Sequence, residues 1–359
     1  MSIIYIYPAS FCPPTFGHLH TAQKAAEMFE YIQLVCSENP DKYNKWFSPE
    51  ECAFFWKSYN LPKNISVTTI QKARKQIQDT SNVVMIRGIR NEDDAEYEKK
   101  VMFFNKEHFG IERYMYFMSN NGFQDISSTK ARKAAQNLEL EKMSQFVSPL
   151  ITSRLLEIAI GARNIFMVVG KPGSGKSTFL RELCQNPENI HINTDEFSQS
   201  LKPLLKKVFG NENLINVAIN EKDRLKEVIA KPWLKLLVNK LRSVPQNSNV
   251  FIEIPYGLQE DKSIFRLVGG KIIHVGCTDK TNRNRVIQRG TPELIPFVDA
   301  IPNIQAATEI ATSNKLSLAS INTEGSKKET IQKANYFDQW IKERGNQWKT
   351  YSPDWYLDI

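Results

Sequence analysis

The sequence has no apolar run of membrane-spanning length; its apolar stretches, such as Ile165 to Val169, are of strand length. Its start lacks a basic segment followed by an apolar core and a cleavage site. The expectation is therefore a cytoplasmic protein with no membrane partner. Cysteine is scarce, with five in 359 residues (Cys12, Cys36, Cys52, Cys184 and Cys277). They form no C-x-x-C pair and adjoin no histidine cluster, which argues against a disulfide framework or a zinc site and for reduced thiols. No internal repeat or low-complexity tract is present. Neither sign of charge dominates: 47 basic and 39 acidic residues leave a net +8 spread along both halves. So modest an excess suits phosphorylated small molecules, and no nucleic-acid partner is expected. Hydrophobic content of 41% and charged content of 24% are ordinary for a globular chain, and the length suggests two domains.

The first half reads as alternating strands and helices. Ile3 to Tyr7 is a buried strand, and Leu19 to Phe29 is an amphipathic helix. Between them lies SFCPPTFGH, residues 10–18, in which Gly17 and His18 open the helix. A helix start offers free N–H groups and a positive dipole end to a phosphate, and His18 and His20 would add charge-assisted donors. A cap with a solvated ring is the plain alternative. Further strands are expected at 31–36, 65–69, 82–87 and 113–117, with a helix from Ser48-Pro49. Lys42 and Lys45 lie in a turn-rich loop after the second strand, where ligands bind in open α/β sheets; solvated loop lysines are the plain alternative, and the favoured one for Lys45. Arg87 and Arg90 flank a glycine at the end of the fourth strand and read as an anion clamp, with the glycine letting the backbone turn. The acidic run 91–98 behind them either solvates a helix face or orients the arginines. Ser127, Ser128 and Thr129 stand at another helix start, as anion ligands or as a plain cap.

Taken together, SFCPPTFGH resembles the nucleotide-binding motif of the nucleotidyltransferase superfamily, and ISSTKAR at 126–132 resembles its second signature. Within that superfamily, NPDKYNKWFSPEE and RGIRNEDDAEYE, with Asn105 following, resemble phosphopantetheine adenylyltransferase across about residues 2 to 158. The resemblance implies ATP contacts at Ser10, Phe11, Gly17, His18 and Arg90, with Glu98, Ser127, Ser128 and Thr129 on the nucleotide side. It implies that Lys42 and Arg87 hold the reacting phosphates, and that Asn105 lies near the pantetheine arm. Three positions depart from it: the family usually has threonine at Ser10, an acid at Cys12 and often an acid at His20.

A helix at 149–160 is expected to close the first domain (1–160), with a short linker before the second (164–359). There the strand at 165–169 runs into GKPGSGKST, residues 170–178, and a helix, the spelling and context of a phosphate-binding loop. Gly170, Gly173 and Gly175 let backbone N–H groups wrap a triphosphate bordered by Thr178, Lys176 reaches the β and γ phosphates, and Ser177 binds Mg²⁺. Asp195, after a strand at 189–193, is placed to accept a hydroxyl proton or to hold Mg²⁺, with Glu253 as a second acid. Arg285 and Arg289, four apart with Arg283 nearby, read as a lid closing over ATP, or alternatively as a basic surface helix. This half resembles the P-loop small-molecule kinases and, in element order, dephospho-coenzyme A kinase. The expected fold class is α/β, a Rossmann-like nucleotidyltransferase sheet followed by a P-loop kinase sheet, both parallel. Together the resemblances imply a bifunctional coenzyme A synthesis enzyme using ATP, Mg²⁺, 4′-phosphopantetheine and dephospho-coenzyme A. An adenylyltransferase–kinase pair for nicotinamide mononucleotide and its riboside is a rival, and a non-catalytic nucleotide-binding regulator is another.

Overall fold

A computed structural model describes residues 3–38, 46–119, 122–254, 262–269, 271–300, 304–344 and 356–359. The chain forms two compact units, Met1–Ile151 and Thr152–Ile359.

In the first, strands β1 (Ile4–Ala9), β2 (Ile32–Cys36), β3 (Ile65–Thr69), β4 (Val83–Ile89) and β5 (Arg113–Met118) form one sheet in the order β3-β2-β1-β4-β5. Every pairing is parallel, as the opening strand–helix–strand pattern predicts. Ile6 lies between Gln33 and Met85 in register and packs with Val35, Ala73, Val83 and Ile111. Because β2 lies on one side of β1 and β4 on the other, the strand order reverses beside β1. Ligands of open α/β sheets bind outside the carboxyl ends of the strands at such a reversal. The loop after Ala9 and the turn after Ile89 open there.

The second unit holds β6 (Asn164–Val169), β7 (Asn189–Asn193), β8 (Asn249–Glu253), β9 (Lys271–Gly276), β10 (Leu318–Asn322) and β11 (Tyr356–Asp358), again all parallel, in the order β11-β10-β9-β6-β8-β7. Phe166 and Phe251 stack at 4.9 Å between centroids in its core, with Phe179 and Phe337 beside them. The phosphate loop leaves β6 in the middle of this sheet.

The stretch from Gly161 to Asn164 is not the free linker expected of it. Ala162 N–H donates to the Glu157 carbonyl and Arg163 N–H to the Ser248 carbonyl at 2.7 Å, and Asn164 already belongs to β6. Glu157, on the helix Pro149–Ile160, is fully buried, accepting from Ile165 N–H at 2.9 Å and from Lys271 Nζ at 2.8 Å. That helix is thus fastened to the second sheet, and the division between the units falls inside it.

Candidate nucleotide sites

In the first unit the helix Phe16–Met28 starts beside the end of β1. Thr15 is its N-cap, and its hydroxyl accepts from His18 N–H. In return Thr15 N–H donates to His18 Nδ1 at 3.1 Å, a reciprocal capping box with histidine in place of the usual glutamate. An accepting Nδ1 places the proton of the neutral ring on Nε2, so Nε2 is the donor. The ring also stands edge-on to Phe11, centroids 5.1 Å apart. His18 therefore combines the cap and the oriented donor that the sequence offers as alternatives. His20 goes elsewhere: two residues along a helix do not share a face, and its ring stacks on Phe123 at 4.3 Å.

The second signature braces this loop. Ser127 caps the helix Ser128–Gln136 by accepting from Lys130 N–H, Ser128 Oγ donates to the Pro13 carbonyl at 2.8 Å, and Arg132 Nη1 donates to the Cys12 carbonyl. Thr129 Oγ1 accepts from Arg132 Nη2 at 3.3 Å. A Cβ on Gly17 would sit 3.3 Å from the Ile126 carbonyl oxygen, so the two signatures meet at a position that favours glycine. In this geometry Ser127 and Ser128 hold the protein's own backbone.

The arginine pair does not form one clamp. Arg87 lies within β4 and is largely buried; Nε and Nη2 chelate Glu98 at 2.6 Å each, and Nη1 donates to the Pro8 carbonyl at 2.6 Å. Glu98 is likewise buried, on the inward face of the helix Glu92–Phe109. Both residues thus fasten that helix to the β1–β4 edge. Gly88 is a strand residue, not a turn: a Cβ there would meet Thr21 Oγ1 at 3.1 Å. Arg90 is the half-exposed member, gripped through Nε and Nη2 by Asp94 at 2.7 and 2.9 Å. Partial burial acts upward on Asp94, but the Arg90 hydrogen bonds prevail and hold its carboxyl below the usual range. The acidic run thus orients the arginines. Asn105 is buried, with Nδ2 3.3 Å from Met85 Sδ on β4. Ser10 directly follows β1. Lys42 and Lys45 lie outside the described residues.

In the second unit Gly170, Gly173 and Gly175 all have positive φ (+153°, +76° and +87°). Cβ atoms at the first two would stand 2.1 Å from the Val275 carbonyl oxygen and 2.6 Å from that of Asn282. Lys176 is buried, with Nζ on the carbonyls of Gly170 at 2.8 Å and Lys171 at 3.1 Å, while Ser177 is exposed. Burial lowers the Lys176 pKa, opposed by the charges of Glu253 and Asp195. Glu253, ending β8, stands 4.0 Å from Lys176 Nζ and 3.2 Å from His191 Nε2. Burial acts upward on Glu253, but His191 and Lys176 hold it low; Asp195 is raised by desolvation of its carboxylate and by the charge of Glu253. Asp195 and Glu253 are thus two acids whose charges act on each other and on Lys176, oxygen groups of the type that could hold a divalent cation.

The lid arginines separate. Arg285 turns inward, donating to the carbonyls of Gly173 (3.4 Å), Thr323 (2.7 Å) and Gly325 (3.3 Å), so it braces the phosphate loop. Arg283 pairs with Asp299. Arg289 is exposed, and its charge is felt at Lys176.

Comparison with known proteins matches the cytidylyltransferase-like family over residues 6–134 and an AAA domain over 165–243. The chain joins a cytidylyltransferase-like domain to a P-loop AAA domain. It is 27% identical over 154 residues to phosphopantetheine adenylyltransferase of Aquifex aeolicus, covering 42% of this chain and 93% of that one. To the same enzyme of Lactobacillus helveticus it is 36% identical over 107 residues, 29% of this chain and 64% of that one. Among solved structures, NadR protein in complex with NR superposes at a TM-score of 0.31 and 13% identity over 95% of this chain and 96% of that one.

Several positioning residues of the cytidylyltransferase-like domain carry no sequence signal. Thr15 escapes because the capping-box spelling asks for Glu or Gln at the third position. Tyr7 is buried beside Arg87 and Gly88, and burial pushes its hydroxyl to about 12. In the P-loop domain Thr323 donates to the Ser174 carbonyl at 2.6 Å across 149 residues of sequence, beyond any local pattern.

Proposed function

We propose that the cytidylyltransferase-like domain transfers the adenylyl group of ATP to 4′-phosphopantetheine, and that the P-loop domain phosphorylates the 3′-hydroxyl of the dephospho-coenzyme A so formed. The observation that carries the first half is the crevice where the strand order reverses. There the His18 helix start, Ser10 and the half-exposed Arg90 come from separate elements, in a domain similar over nearly its whole length to phosphopantetheine adenylyltransferases. A phosphate oxygen of the acceptor attacks the α-phosphorus in line and pyrophosphate leaves. No side-chain nucleophile is required. His18 Nε2–H, Arg90 and Lys42 stabilise charge on the α-phosphate, and the helix N–H groups receive the released anion.

In the P-loop domain the acceptor hydroxyl attacks the γ-phosphorus of ATP and ADP leaves. Asp195, with its raised pKa, takes the hydroxyl proton, while Lys176 and Arg289 balance the phosphate charge. Mg²⁺, when bound by Ser177, Asp195 and Glu253, supplies neutralisation of the β and γ phosphates.

The test is to incubate the purified chain with ATP, Mg²⁺ and 4′-phosphopantetheine and identify products by mass. Coenzyme A is expected. Accumulation of dephospho-coenzyme A alone would refute the kinase step, and no adduct would refute both. Nicotinamide mononucleotide, offered in parallel, should remain unmodified.

A further inference from the structure

Beside the phosphate loop of the second unit stands a histidine to which the proposed phosphoryl transfer gives no task. His191 lies on β7, the outermost strand of that sheet, and its Nε2 is 3.2 Å from Glu253 Oε2. In register Asn193 pairs with Glu253 and His191 with Phe251, so His191, Phe251 and Glu253 share one face of the sheet. Phe251 packs there with Phe179 of the helix Lys176–Leu183, which begins at the loop lysine. The Thr194 hydroxyl donates to the Glu253 carbonyl and ties the two strand ends together, so both side chains stand on joined supports. The Glu253 carboxylate thus lies between a ring and an ammonium. Oε2 is at hydrogen-bond distance from the ring, whereas Oε1 is 4.0 Å from Lys176 Nζ, an ion pair not closed to contact. The lysine and glutamate side chains are only 5% and 10% exposed, so water screens their attraction little. A movement of about 1 Å would bring the carboxylate into a charge-assisted hydrogen bond with the ammonium. The hydrogen bond to His191 opposes that movement, and in the neutral ring it requires the proton on Nε2.

We propose that His191 is a positioning residue of the P-loop site: by holding one oxygen of Glu253 it keeps that carboxylate from closing on Lys176, and so keeps the lysine for the phosphates of the nucleotide. Lys176 is the group that meets the β and γ phosphates in a loop of this form. A contact pair with Glu253 would have to break before a phosphate oxygen could take the carboxylate's place, and that cost would appear as weaker nucleotide binding. His191 touches no phosphate in this scheme and acts through Glu253 alone. The role asks for an N–H at the Nε2 position and not for a charge. Glutamine can present an amide N–H near that point, whereas the amide of asparagine falls near Nδ1. The use of Lys176 in phosphoryl transfer rests on the kinase reading above; the competition between carboxylate and nucleotide for it does not.

The test measures ATP binding to the full chain by calorimetry, at the site that Lys176→Ala removes, in EDTA so that no cation bridges carboxylate and phosphates. His191→Ala should weaken that Kd about tenfold, the scale of one hydrogen bond to a charged group. His191→Gln should stay within twofold of the wild type, and His191→Asn should follow the alanine variant. In a Glu253→Gln background, which has no carboxylate to close on Lys176, His191→Ala should change Kd less than twofold. In phosphoryl transfer with Mg²⁺ supplied, His191→Ala should raise KM for ATP about tenfold and lower kcat less than threefold, whereas loss of packing alone would lower the active fraction and leave KM in place. An unchanged Kd in His191→Ala, a glutamine variant as weak as the alanine one, or an equal loss in the Glu253→Gln background overturns the positioning role. Should the alanine variant not fold, the comparison of glutamine with asparagine decides it. A wild-type chain that binds ATP at this site yet phosphorylates no dephospho-coenzyme A refutes the kinase reading, while the binding comparison still judges His191. No ATP bound at this site overturns both.

Discussion

Arg87 shows how a side chain of phosphate-binding type becomes a structural one. Its guanidinium is matched by the Glu98 carboxylate and the Pro8 carbonyl, with 15% and 9% of the two charged side chains exposed. Such a pair adds little net stability when intact, but breaking it strands a charge. Arg87→Ala should destabilise the chain by about 3–5 kcal/mol in urea titrations. Arg90→Ala removes a partly exposed pair and should cost about 1 kcal/mol or less while depressing adenylyl transfer. The buried Lys271 offers a pH test. Burial lowers it from 10.5 to about 8, partly offset by Glu157. Between those values the unfolded chain binds a proton that the folded chain has released, so its contribution to stability rises with pH across that window and is absent below it. The stability of the wild type relative to Lys271→Met should therefore improve by on the order of 2 kcal/mol between pH 7.5 and 10.5.

At the scale of elements, the strands were the readable part. Parallel strands buried on both faces are short apolar runs with turn residues after them, and the sequence readings at 65–69 and 189–193 coincide with β3 and β7. β10 escaped because Leu-Ala-Ser-Ile-Asn is short and half polar. The sites were legible as motifs but not as contacts. Arg87, Gly88, Asn105 and Arg285 carry the residue types of ligand sites, and their roles depend on Glu98, Thr21, Met85 and Thr323, whose proximity only the fold creates. Gly173 was legible as a phosphate-loop glycine, while the reason for it lies in the Asn282 carbonyl 2.6 Å from its absent Cβ. Gly173→Ala combines that clash with a positive φ and should cost about 1–3 kcal/mol. Nucleotide binding at the P-loop domain, followed by calorimetry, should fall at least tenfold.

At the scale of the molecule, two phosphate-binding loops open at the carboxyl ends of two separate parallel sheets. If each works alone, His18→Ala should abolish adenylyl transfer yet leave phosphorylation of supplied dephospho-coenzyme A within twofold, and Lys176→Ala should do the reverse. Loss of both activities in a folded variant would contradict separate sites. The hydrogen bonds from Thr323 and Arg285 to the carbonyls of Ser174 and Gly173 also bear on how such a protein can be divided and recombined. The segment recognisable as an AAA domain stops at residue 243, about eighty residues before the brace of its own phosphate loop. A gene fragment trimmed to that segment would keep the phosphate-loop sequence and lose the support that shapes it. The portable module is the whole span from Thr152 onward, so recombination that preserves kinase function must carry the distant end together with the motif.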